Sequence, residues 1–218
     1  MNEHAPLHTA GGQPTLSKHR VEALQDGVYA IAITLLVLEL KLPDHHGLHS
    51  QADLLRALVD LMPRLGAWLI SFFVLAIFWA SGHRAMHWLK VVDSKLVWIN
   101  IVTLLFASFM PFASGLIGEF PQFFVSQAVY AATMGALGLC ALWQLRYLTA
   151  HPELCHQPMP ELLRKAAQLR CTGVVATAAL AALIACWQPV FAPTAFMLMW
   201  VFGALSRRMM KQGHVAAA

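Results

Sequence analysis

The residues best placed to do chemistry lie in and beside one hydrophobic stretch, Arg20 to Leu42, RVEALQDGVYAIAITLLVLELKL. Glu22 and Asp26 stand one helical turn apart near its start, and Thr34 puts a hydroxyl near its middle. A carboxylate at the edge of a hydrocarbon layer is costly unless paired, so Asp26 needs partners; Arg20, Trp79 and His83 have the right chemistry. Thr34 has two uses, an oxygen offered to a passing ion or a hydroxyl bonded back to the carbonyl of Ala30. The first would engage ions and the second is purely structural, and neither is covalent catalysis.

Other candidate chemistry is thinner. His83 and His87, at i and i+4, could reach one metal ion from a helix face, but no third ligand accompanies them, and with Trp88 they suit interfacial anchoring. His45, His46 and His49 read as solvated loop residues. Cys140, Cys155, Cys171 and Cys186 lack paired spacing and read as free thiols. There is no Gly-x-Ser-x-Gly, no His-Glu-x-x-His and no phosphate-cradling glycine loop, so no enzyme and no cofactor are expected. The Thr-Val-Gly-Tyr-Gly loop that strips water from potassium with backbone carbonyls is also missing, and any ion selectivity must come from side chains.

The elements that position these residues are membrane helices. The chain has 218 residues, 58% hydrophobic and 12% charged, far from the balance of a soluble domain. The apolar centre Gly27 to Leu38, extended by Leu40 and Leu42, is long enough to cross a hydrocarbon core of about 30 Å. At about 100° per residue, Leu24, Gly27, Ile31, Leu35, Leu38 and Leu42 share one stripe with Thr34 at its edge. Glu22 and Asp26 fall roughly opposite and are expected to point into the subunit's own helices.

Five more apolar blocks follow, about Leu65 to Ala80, Leu96 to Ile117, Phe123 to Leu145, Thr172 to Trp187 and Val190 to Leu205. The expected fold is therefore all-α and polytopic, with six transmembrane helices over residues 18–208. Residues 1–17 contain no apolar core and are expected to be a disordered tail, and 209–218 a second tail. Pro63 suits a first helical turn, Gly118-Glu119-Phe120-Pro121 suits a tight turn, and Gln188-Pro189 with Pro193 divides the last two spans. Pro43 to Met62 is expected to contain a short amphipathic helix outside the membrane. The stretch 149–170, ending in the helical-looking ELLRKAAQLR, reads as a cytoplasmic connection leading into the fifth span, with charges that meet water and lipid headgroups.

Six spans put both termini on one side. With them go twelve of the 15 lysines and arginines, leaving Lys41, Arg56 and Arg64 on the other, so the termini are expected to be cytoplasmic. The formal charge of +4 follows from this asymmetry and implies no nucleic acid.

The run Arg20, Leu24-Gln25-Asp26-Gly27 and AIAITLLVLEL resembles the first-helix signature Arg-x-x-x-Phe-Ser-Asp of the lysosomal potassium channel family, transmembrane protein 175, in its bacterial single-repeat form. Phe-Ser is replaced here by Leu24-Gln25. Phe78-Trp79 followed by Gly82-His83-Arg84 is similar to the family's Trp-x-x-His-His-Arg, with Gly82 in place of one histidine. Asn100 and Met110-Pro111-Phe112 also match, so the likeness spans about residues 18–115.

The resemblance implies a potassium-preferring, passive cation channel in a bacterial inner membrane. It implies a homotetramer with first helices around the axis, an arrangement also favoured because six helices enclose a wide path poorly alone. It maps the family's constriction onto Ile31, Leu35 and Leu38, its threonine onto Thr34, and its helix-holding network onto Arg20, Asp26, Trp79, His83 and Asn100. Potassium would be the permeant ion, and titration of His83 near a carboxylate would make the network sensitive to pH. The alternatives are a proton or non-selective cation leak, a secondary transporter, for which mid-membrane charged residues are missing, and a non-conducting scaffold.

Overall fold

The computed structural model describes residues 17–42 and 49–215. The expected N-terminal tail apart from Ser17, and His45 and His46, lie outside these residues. The first hydrophobic stretch forms α1 (Lys18–Leu35) and tightens into a 3-10 turn over Leu36–Glu39. The short helix α2 (Gln51–Asp60) follows, its start fixed by the Ser50 hydroxyl oxygen, which accepts the Asp53 N–H at 3.1 Å. Then come α3 (Met62–Trp88), α4 (Ser94–Glu119), α5 (Phe124–Ala150), α6 (Glu161–Trp187), a 3-10 stretch (Pro189–Met197) and α7 (Leu198–Val215). Six helical segments are long and apolar enough to cross a membrane, as expected.

Local chemistry explains the boundaries. Pro63 sits in the first turn of α3, where its missing N–H costs nothing. Asp93 caps α4 by accepting the Leu96 N–H at 2.9 Å. The hairpin turn between α4 and α5 lies at 120–123, two residues later than expected, because α4 continues through Gly118 and Glu119.

The helical-looking ELLRKAAQLR forms the first turns of α6, begun directly after Pro160 and steadied by Lys165 and Glu161 at 2.7 Å, and continues into the fifth span without a break. Its leucines, alanines, lysine and arginines are good helix formers, and its charges can project beyond the apolar layer from a continuous helix. The sixth span begins as 3-10 helix because Pro189 and Pro193 cannot supply ladder N–H groups. At the C-terminus α7 runs into the stretch expected as a tail and reaches Val215.

Helices α4 and α5 form the centre of the bundle, with half or more of their spans buried against 28% for the first span. The core is apolar, built on Leu75, Ala107, Met110, Met134 and Leu137. It holds one polar knot, in which the Ser71 hydroxyl meets Ser114 at 2.9 Å and Tyr130 at 3.1 Å, tying α3, α4 and α5 together.

At the end rich in lysine and arginine, the α3–α4 and α5–α6 connections are joined. Leu89 and Cys155 form an antiparallel bridge, the Lys90 N–H donates to Leu154 at 2.8 Å, and the His156 N–H donates to Trp88 at 3.0 Å. Tyr147 donates to Asp93 across the same seam, and Val21 of α1 packs beneath it with Met86, Leu96 and Leu148. Headgroup contact alone therefore does not account for this loop. Burial, and then the nearby Glu153, push the Cys155 thiol up from its ordinary range, so it stays protonated. All four cysteines are free.

Candidate functional site

Helix α1 packs on α3 and α4 and lies at the edge of the bundle. Its buried line is Val21, Gln25, Tyr29, Ala32 and, in the 3-10 turn, Leu36. The 3.6-residue repeat brings these five to one side, and with them turned inward the stripe turns outward. Ile31 is 60% exposed, Leu38 61% and Leu35 42%, with Leu24 and Leu42 also uncovered. Large aliphatic side chains thus run along a face that no helix among the described residues covers.

Thr34 lies on the same free side. Its hydroxyl is placed 2.9 Å from the carbonyls of both Ala30 and Ile31. The back-bond weighed from sequence is therefore present. A hydroxyl that donates its proton inward leaves its oxygen lone pairs facing out, which is the polarity a cation needs.

Asp26 does not point into the subunit. It is exposed on the flank of α1 that faces α3, about 100° around the helix from the buried line. There it accepts the Trp79 indole N–H at 2.8 Å. The Trp79 ring in turn stacks on His83, 5.9 Å between centroids. His83 thus meets Asp26 through the indole, with no ion pair between them.

Of the remaining network residues, Asn100 is joined to α1 and Arg20 is not. Arg20 is exposed, and its guanidinium makes no hydrogen bond or ion pair among the described residues. The cation at this end of α1 that is engaged is Lys18, which donates to the Leu89 carbonyl at 2.9 Å and lies 4.0 Å from Glu22.

The inward polar residue of α1 is Gln25, which the sequence marked only as a departure from a signature. Its carbonyl accepts the Asn100 amide at 3.0 Å, and both side chains are buried. Gly82 of α3 makes the room. A Cβ at position 82 would lie 2.6 Å from Gln25 Nε2. The two departures, Gln25 and Gly82, face each other, and that pairing was the signal available in the sequence.

Among the described residues no three of His, Cys, Asp and Glu gather to hold a metal ion. His83 and His87 are both exposed.

The sequence pattern of the endosomal/lysosomal potassium channel TMEM175 matches residues 20–111, which cover α1, the α1–α3 connection, α3 and most of α4. Over those residues the chain is similar to this family. Similar proteins include a potassium channel of Streptomyces collinus, 35% identical over 138 residues, spanning 61% of this chain and 66% of the relative. A potassium channel of Chamaesiphon minutus is 36% identical over 130 residues, covering 57% and 64% of the two chains. The chain thus aligns with slightly under two thirds of the length of these relatives. The fold matches the crystal structure of a lysosomal potassium-selective channel TMEM175 homologue from Chamaesiphon minutus, with a TM-score of 0.74 and 26% identity. That match covers 87% of this chain and 97% of the other.

Proposed function

We propose that this chain forms a passive, potassium-preferring cation channel in which the free face of α1, contributed by four copies, lines the axial pore. The observation that carries the reading is the uncovered stripe Ile31, Leu35 and Leu38, on a helix whose other side is packed from Val21 to Leu36. The names of the bacterial relatives and of the matched crystal structure support it.

Rings of these aliphatic side chains would form a hydrophobic constriction. An ion moved from water into apolar surroundings without compensation loses on the order of tens of kcal/mol of solvation, so conduction requires the neck to widen and hydrate. Thr34 supplies a ring of outward-facing oxygens one turn from Ile31 and gives the modest preference for potassium. Asp26, Trp79, His83 and Asn100 hold α1 against α3 and α4, with Arg20 at the outer edge of that network. The chain then sits in a bacterial inner membrane with both termini cytoplasmic, the side carrying most of its lysines and arginines.

The test is ion flux from liposomes containing the purified chain, under matched potassium and sodium gradients. Potassium should move faster than sodium. A folded protein that passes neither ion would instead be a membrane scaffold.

A further inference from the structure

One feature of the bundle is unused by the conduction path. Near the basic end, α1, α3, α4, α5 and α6 enclose a cavity with about 120 Å³ of space. Its floor is polar, with Gln25, Asn100 and Gln144, and its walls are apolar, with Trp88 and Leu163 among them. Arg84 of α3 and Arg170 of α6 both line it, and no aspartate or glutamate does. Arg207 of α7 is near enough for its charge, like that of Arg84, to be felt at Arg170.

None of these three guanidinium groups makes a hydrogen bond or an ion pair among the described residues. Arg170 is half-buried. A guanidinium withdrawn from water, beside two more cations and without a counter-charge, is unfavourable until an anion arrives. The guanidinium fork matches phosphate oxygens two at a time, and basic pockets between membrane helices are suited to phospholipid head groups.

We infer that this cavity is a binding site for a phosphate-bearing anion, with Arg84 and Arg170 holding the phosphate and Trp88 and Leu163 offering an apolar wall to an attached acyl chain. Ordinary headgroup contact would engage arginines at the rim. Here the cavity continues inward to Gln25 and Tyr29, so the ligand abuts α1 itself. The site does not depend on which ion the protein conducts, and its test reads binding alone.

The experiment uses the whole chain in neutral detergent, followed by native mass spectrometry and thermal unfolding. It is titrated with palmitoyl-oleoyl phosphatidylglycerol, with the matching phosphatidylcholine, or with inorganic phosphate. The wild type should retain phosphatidylglycerol over phosphatidylcholine, and Arg84→Gln/Arg170→Gln should lose about tenfold of that retention, one such contact being worth roughly that factor. Inorganic phosphate that raises the unfolding temperature of the wild type and not the double variant, without selective retention of lipid, would identify the free anion as the occupant. Arg84→Gln alone, at an exposed position, should weaken binding several-fold and keeps the test open if the double variant fails to fold. Equal retention and equal thermal shifts in the wild type and the folded variants would overturn the inference.

Discussion

Replacing Ile31 by asparagine raises potassium flux through the channel by about tenfold or more, equivalent to about 1.4 kcal/mol removed from the conduction barrier. The reason lies in the position of the side chain. Ile31 is 60% exposed on a helix that buries Tyr29 and Ala32 beside it, so the substitution touches the free face and leaves the packed face intact. In a ring around an axis, four amides hold water where four isoleucines expel it, and a wet neck spares the ion part of its dehydration cost. Sodium flux should rise as well, because hydration of the neck does not itself distinguish the two ions. Leu38→Asn should act in the same direction. Unchanged flux in a well-folded Ile31→Asn protein would place the isoleucine against lipid.

The second large effect is expected at Gly82. Alanine there puts its Cβ 2.6 Å from Gln25 Nε2, and although a glutamine end is flexible, this one is buried and bonded to Asn100. Displacing Gln25 leaves two buried amides short of partners, so Gly82→Ala should lower unfolding stability by about 1–3 kcal/mol. Gln25→Ser removes the obstructing amide, so the double variant should be less destabilised than the sum of the two single changes. Denaturant unfolding of the four proteins in a double-mutant cycle measures this coupling. Strict additivity would mean that the two positions do not constrain each other.

Much of this architecture was legible in the residues. Hydropathy located all six spans, Pro63 marked the start of α3, and the stripe through Ile31, Leu35 and Leu38 could be read from helical spacing because the free face of α1 is continuous. Periodicity was weaker at deciding what lay behind that stripe. Asp26 was taken as inward because it falls roughly opposite the stripe; Trp79, one of the partners expected for it, does bond it, but on the flank, where the indole reaches it without burying the carboxylate. The true inward residue, Gln25, falls on the same helical line as Val21, Tyr29, Ala32 and Leu36 but carries no hydropathy signal, and the room for it depends on the absent side chain of Gly82, 57 positions away on another helix. The Ser71, Ser114 and Tyr130 knot was hidden for the same reason: three ordinary polar residues become one feature only when α3, α4 and α5 pack. At ELLRKAAQLR helix propensity was legible, and the structure runs it without a break into the apolar part of α6.

The claim that α1 lines the pore is tested most directly by cysteine modification during potassium flux. Ile31→Cys is placed in a background with Cys140, Cys155, Cys171 and Cys186 changed to alanine, and a membrane-impermeant cationic methanethiosulfonate is applied to the liposomes. Leu183→Cys, exposed on α6, serves as the control, with mass spectrometry reporting how far each thiol has reacted. A fixed cation among the isoleucine positions should reduce potassium flux to near the protein-free rate, while the control keeps its flux. Full modification at Ile31→Cys with undiminished potassium flux would contradict a pore lined by this face of α1.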